Sequence, residues 1–213
     1  MKIAVDVREA CSEKRTGKGQ WAYGFVSEFL FRGQEMLLLT DAEIPEEWKE
    51  FSPTVHTSSP GMLWHHHMAS YLKKQDDVNF FLSPTSYIVP SLLPTSVPCI
   101  PVVHDLIAFH KEPHDRKAKI VERLTLKKTL RKAKHVLSVS ESTKRDLLER
   151  YPFVEAMNIS VVYAGPMEND PPRNTPDGST ILCAATLSPR KNQQRLIEAF
   201  KKLPDALRTK HRL

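Results

Sequence analysis

Apolar residues in this chain fall into short runs separated by longer amphipathic stretches. Residues 2–7, KIAVDV, form a compact apolar run of the kind a buried parallel strand carries. Residues 19–31 follow with Trp21, Ala22, Phe25, Val26, Phe29 and Leu30 at i, i+4 spacing, which predicts a helix with one buried face. A second run, EMLLLT at 35–40, predicts another strand and gives way to an acidic, proline-containing stretch ending at Pro53. Residues 62–75 pattern as a helix, and VNFFLSPT at 78–85 as a strand and turn. The strand expected over 96–106 contains Pro98 and Pro101, which confine its early part to an edge or an irregular start. A basic helix over 115–134, a strand over 135–140, a helix over 141–151 and a strand over 159–165 complete the series. Ser140 is the expected N-cap of the helix at 141–151, with Thr143 where a capping box carries Glu. Strands alternating with helices predict an α/β domain over residues 1–165, a Rossmann-like, doubly wound and mainly parallel sheet.

The texture changes after Gly165. Residues 166–179, PMENDPPRNTPDGS, hold four prolines in fourteen positions and almost no apolar side chains, so they read as a linker. Residues 180–213 pattern as one strand, a turn and a helix built on Leu196, Ile197 and Phe200. One βα unit has too little apolar surface to stand alone, and it reads as the first step of a truncated second α/β domain.

Composition narrows the class without changing the fold. The chain has 213 residues, 40% hydrophobic and 26% charged, in the ordinary range for a globular protein. The N-terminal apolar run is broken by Asp6 and Arg8, too early for a signal peptide, and no run approaches the roughly 20 residues of a membrane span. Cys11, Cys99 and Cys183 are widely spaced and odd in number, which argues for a reducing compartment and against a disulfide framework or zinc site. A cytoplasmic chain is expected.

The formal net charge of +6 is concentrated: residues 111–150 hold 13 Lys and Arg against 6 Asp and Glu, and the remainder nets −1. On a helix, Arg116, Lys119, Arg123, Lys127, Arg131 and Lys134 fall within about a third of the circumference. Such a stripe is either a solvated face or a surface for anionic lipid at the inner face of a membrane, or for another anionic partner. Its apolar residues, Ile120, Val121, Leu124, Leu126 and Leu130, spread around the wheel, so deep insertion is not expected. Nucleic acid is disfavoured because no aromatics interleave the stripe.

Two features bear on chemistry. VVHDLIAF at 102–109 puts His104 and Asp105 where a strand gives way to a loop, the edge at which open α/β sheets bind ligands. Asp105 there either orients the imidazole or caps the loop. RTGKGQWAYG at 15–24 reads as a glycine-bearing loop after the first strand, yet Gly17, Gly19 and Gly24 match neither the dinucleotide spacing nor a P-loop. His65, His66 and His67 lie 100° apart on a helix and form no local chelate, so no metal site is expected.

Taken in order, VDVREACSEKRTGKGQWAYGFVSEFL, VNFFLSPT, VVHDLIAF, HVLSVSESTKRDLLERY, ISVVYAGP and LSPRKNQQRLIEAF resemble the N-terminal half, linker and start of the C-terminal domain of a GT-B retaining glycosyltransferase. The group is glycosyltransferase family 4, the "group 1" transferases. The resemblance implies two Rossmann-like domains, the first taking a glycan or lipid-linked acceptor and the second a UDP- or GDP-linked sugar donor. It implies that His104 hydrogen-bonds the transferred sugar, with Asp105 beside it. It also implies that the backbone at Gly17 and Gly19, together with Arg190 and Lys191 of SPRKN, meets the donor diphosphate. No metal or other cofactor is implied. Two departures weaken the donor side: Ala185 stands where the family usually has glycine, and Thr186 where many members carry a phosphate-binding arginine. The family's donor-binding Glu segment is absent from these residues, so the chain by itself is expected to be catalytically incomplete. A reading from another class is a non-catalytic acceptor-binding or membrane-docking module that uses the basic region at 111–150.

Overall fold

The computed structural model describes residues 1–61, 63–109, 116–165, 178–185 and 187–213. The chain divides into two compact units at Gly165, the first within residues 1–165 and the second within 166–213.

The first unit is a seven-stranded parallel sheet. Its strands are β1 (Lys2–Asp6), β2 (Met36–Thr40), β3 (Thr54–Thr57), β4 (Val78–Ser83), β5 (Cys99–Val103), β6 (Val136–Ser138) and β7 (Ile159–Val161). Their order is β3-β2-β1-β4-β5-β6-β7, so the chain winds outward from β1 in one direction and then returns to build the other side. Helices α1 (Gly17–Phe31), α2 (Glu46–Lys49), α3 (Trp64–Leu72), α4 (Ile88–Leu92), α5 (Arg116–Leu130) and α6 (Glu141–Arg150) connect them.

Period-two alternation sends successive strand residues to opposite faces. Ile3 and Val5 pack with Ala22, Val26 and Leu30 of α1 and with Trp48 of α2. Ala4, Leu37, Leu39 and Phe81 pack with Trp64, Met68 and Leu72 of α3. Val103, Val136 and Ile159 pack with Leu126 and Leu130 of α5 and Leu147 of α6. Both faces are therefore covered, and the sheet is the doubly wound, Rossmann-like α/β arrangement the pattern predicts.

The prolines behave as their chemistry requires. Cys99, Ile100 and Pro101 pair with β4, but β6 joins β5 only at Val102. Pro101, which has no N–H to give, thus lies in a stretch that is an edge on its β6 side, although the strand as a whole is central. The pattern missed α2, β3 and α4. TVHT of β3 is largely exposed at the sheet edge and offers no apolar run, while α2 and α4 are only four and five residues long.

In the second unit, α7 (Gln193–Lys201) and α8 (Asp205–Arg208) follow a 3-10 turn over Pro189–Lys191. The strand expected after Ser179 is reduced to a single parallel bridge between Thr180 and Arg212. Leu196, Ile197 and Phe200 line an open, mainly apolar cavity of about 450 Å³ with Cys183 and Leu213, and Ile197 stays 45% exposed. Of the expected linker, residues 166–177 lie outside the described residues.

Candidate functional site at the C-terminal edge of the sheet

The strand order reverses between β1 and β4, and the C-terminal edge at such a switch point is where an open α/β sheet holds its ligands. His104 is the first residue beyond β5. Its Nε2 donates to the carbonyl of Pro84, in the loop after β4, at 2.8 Å. Trp21 of α1 meets the imidazole edge-on, with centroids 5.2 Å apart and planes at 88°. Burial lowers the His104 pKa below that of an ordinary histidine. The Pro84 hydrogen bond works against this shift, and the nearby Lys18 charge reinforces it. The ring is therefore neutral near pH 7, with its proton on Nε2 and an acceptor lone pair on Nδ1.

The loop that carries this ring is held from both sides. Thr143 Oγ1 donates to the His104 carbonyl at 3.1 Å. Thr143 is itself fixed at the start of α6, because Ser140 Oγ accepts from Thr143 N at 3.1 Å as the N-cap. Asp105 Oδ1 accepts from Ile107 N at 3.1 Å and so caps the 3-10 turn Ile107–Phe109. Of the two roles open to Asp105, loop capping is the one with a hydrogen bond.

The glycines call for a correction. Gly17, Gly19 and Gly24 are not in a loop; they lie within α1, which begins at Gly17, two residues earlier than the apolar pattern indicated. Thr16 is the N-cap, its Oγ1 accepting from Gly19 N at 3.2 Å and donating to Glu9 Oε2 at 2.9 Å. A Cβ on Gly19 would stand 2.5 Å from the Glu9 carbonyl oxygen. Gly19 is glycine so that the helix start can press against the preceding loop, and the expected room for a ligand is filled by backbone. At Gly17 the same space is open. Gly17 and Lys18 contribute first-turn amides that a helix cannot satisfy internally. With Trp21 one turn further on, this helix start and His104 share the same end of the sheet.

A second cluster, outside the site residues expected from the sequence, lies at the end of β1. Asp6 closes β1 and is 1% exposed. Arg8 Nε reaches its Oδ1 at 3.2 Å and Arg8 Nη2 its Oδ2 at 3.3 Å. The guanidinium lies 3.6 Å above the Trp64 ring centroid, and Nη2 meets His65 Nε2 at 3.1 Å. Because arginine only donates, His65 accepts there and carries its proton on Nδ1. Burial, then the Arg8 charge, lower the His65 pKa. An aspartate ending an apolar strand, with an arginine two residues on, was the signal available; the groups that hold the arginine, Trp64 and His65, come from a helix more than fifty residues away.

Lys191 ends the 3-10 turn of the second unit and is exposed, followed by Asn192 in the left-handed region at φ 51°. The Arg190 side chain and Thr186 lie outside the described residues. Among the described residues, no three His, Cys, Asp or Glu side chains group as metal ligands would. None of the described helices is long and apolar enough to cross a membrane.

Comparison with known proteins agrees with this architecture. Residues 78–165, from β4 to the end of the first unit, match the profile of Glycosyltransferase Family 4. No curated protein matches the chain. Among solved structures, HepE of Anabaena in complex with UDP and glucose is 16% identical with a TM-score of 0.54, covering 78% of this chain and 45% of HepE. The lipopolysaccharide outer core galactosyltransferase WaaB in its apo form is 15% identical with a TM-score of 0.51, covering 84% of this chain and 51% of WaaB. At such identities the likeness is one of fold, and the chain spans about half the length of each.

Proposed function

We propose, from the match of residues 78–165 to Glycosyltransferase Family 4, that this chain is the N-terminal portion of a retaining sugar transferase. Its donor is a UDP- or GDP-linked sugar and its acceptor a glycan or lipid-linked glycan. In the reaction the bond from the anomeric carbon to the diphosphate oxygen breaks, a bond from that carbon to an acceptor hydroxyl oxygen forms, and the hydroxyl proton passes to the departing diphosphate. The observation that carries the reading is the fixed, neutral His104. With Nε2 committed to the Pro84 carbonyl, Nδ1 accepts a hydroxyl hydrogen from the transferred sugar. The first-turn amides at Gly17 and Lys18 meet negative charge on the leaving diphosphate, as helix starts do. Lys191 and Arg190 are the second unit's candidates for neutralising a donor phosphate. Asp105 holds the loop and touches no reacting atom.

Turnover of UDP- and GDP-sugars by the full-length protein tests this. His104→Ala lowers kcat by about 10²-fold or more, the scale of losing one preorganised polar contact. Asp105→Asn keeps an oxygen for the Ile107 amide and costs little. His104→Ala with wild-type kcat, or equal losses at both positions, would remove His104 from the reaction.

A further inference from the structure

Four of the thirteen Lys and Arg of residues 111–150 line one groove of about 480 Å³ between α5 and the end of α6. Arg123 and Lys127 of α5, and Arg131 just beyond its end, line it with Arg150. The Arg123 and Arg150 guanidinium carbons stand 5.1 and 4.4 Å from the Phe109 ring centroid, and that of Arg131 stands 5.6 Å from Phe153. Among the described residues, no acidic side chain lines the groove. Four cations thus converge, and aromatic rings hold three of them in place.

The surroundings are apolar where a solvated face would be polar. Folding sorts the α5 side chains that the helical wheel left scattered: Leu126 and Leu130 enter the core, while Ile120, Val121 and Leu124 stay outside. Leu124 is 65% exposed and Phe153, across the groove, 45%. An exposed apolar set therefore accompanies the cations. Nucleic acid fits poorly, since guanidinium groups already occupy the rings on which bases would stack. An acidic protein would answer the charge but not the exposed Leu124 and Phe153. An anionic membrane surface answers both, with phosphates for the cations and a headgroup–acyl boundary for the apolar side chains.

We infer that this groove and the outer face of α5 dock the protein on anionic phospholipid. The docking surface is tied to the candidate site. Arg123 Nε donates to the Ala108 carbonyl at 2.8 Å, and Phe109 beneath the arginines ends the loop that begins at His104. Docking would therefore set the His104 loop close to the lipid surface. The inference goes beyond the proposed transfer and is read without donor or acceptor, so either can fail alone.

The test is co-sedimentation of the 213-residue chain with vesicles of phosphatidylcholine, with or without phosphatidylglycerol. The chain should pellet with the anionic vesicles only, and binding should fall steeply as salt rises past about 0.1 M. The double variant Lys127→Glu/Arg131→Glu alters two exposed residues and should lower partitioning at least about 10-fold. Lys73→Glu/Lys74→Glu makes the same change in net charge on α3's exposed end and should leave binding unaltered. Leu124→Ser/Phe153→Ser should weaken binding several-fold, with circular dichroism confirming that each variant folds. No pelleting with anionic vesicles, equal binding to neutral ones, or equal loss from both charge reversals overturns the inference. So does binding of polyglutamate at the groove without binding of vesicles.

Discussion

Two glycines of α1, five residues apart, should respond oppositely to the same substitution. A Cβ at Gly24 meets nothing within 4 Å, whereas one at Gly19 meets the Glu9 carbonyl oxygen at 2.5 Å and the carbonyl carbon at 3.1 Å. Alanine is favoured over glycine inside a helix by about 0.8–1 kcal/mol. Gly24→Ala should therefore stabilise the first unit by about that amount. At Gly19 the same gain is opposed by overpacking, which costs about 1–3 kcal/mol. The cost belongs at the upper end, because the obstacle is backbone and the Glu9 side chain is itself held by Thr16. The net expectation is a loss of about 2 kcal/mol, so the two variants differ by about 3 kcal/mol. Urea unfolding followed by tryptophan fluorescence reads this cleanly, since all three tryptophans, Trp21, Trp48 and Trp64, lie in the first unit. With a slope of about 2 kcal/mol per molar urea, the midpoints should separate by about 1.5 M. A Gly19→Ala midpoint at or above wild type would refute the tight packing of α1 against the Glu9 loop. It would also weaken the placement of Lys18 and Trp21 beside His104, which depends on the same contact.

Two further outcomes are expected in the same unfolding assay. Thr143→Val keeps the shape of a buried side chain but removes the donor to the His104 carbonyl, so it should cost about 1–2 kcal/mol; an unchanged midpoint would mean that the hydroxyl does not hold the loop. The pKa values of His56, His65 and His104 are all lowered, chiefly by burial, so the unfolded chain binds more protons than the folded one below the ordinary value of 6.5. Their contribution to stability is complete above that pH and is lost as pH falls below it, and a midpoint unchanged between pH 7.5 and 5.5 would contradict the burial of these rings.

The alternation of strands and helices was legible because each central strand had to be apolar on both sides. Met36–Thr40 is buried throughout and announces itself as an unbroken run. β3 could not announce itself: at the edge, with exposed residues, it needs no hydrophobic signature and gains its place from backbone pairing with β2. The start of α1 was hidden by glycine, which local propensity reads as a loop. The competing signal was Thr16, a good N-cap three residues before the Gly19 amide that it binds. Propensity lost there because the helix is anchored by packing, with Ala22, Val26 and Leu30 in the core and Gly19 against Glu9.

The candidate site divides along the same line. His104 was legible because a polar pair at the end of an apolar strand is a local signal, carried within eight residues. What fixes the ring was not legible, because Pro84, Trp21 and Thr143 come from three other elements, 20, 83 and 39 positions away along the chain. Only the strand order brings them together. β4 and β5 are neighbours, so the loop after one supplies an acceptor for the imidazole that follows the other. β6 beside β5 brings the cap of α6 under the His104 carbonyl. Asp6 and Arg8 divide in the same way at the end of β1. A carboxylate buried there requires a cation within reach, and VDVR supplies it two residues on. Nothing in VDVR states that the guanidinium will lie on Trp64 and meet His65. The cation was a local choice, and what holds the cation was the choice of the topology.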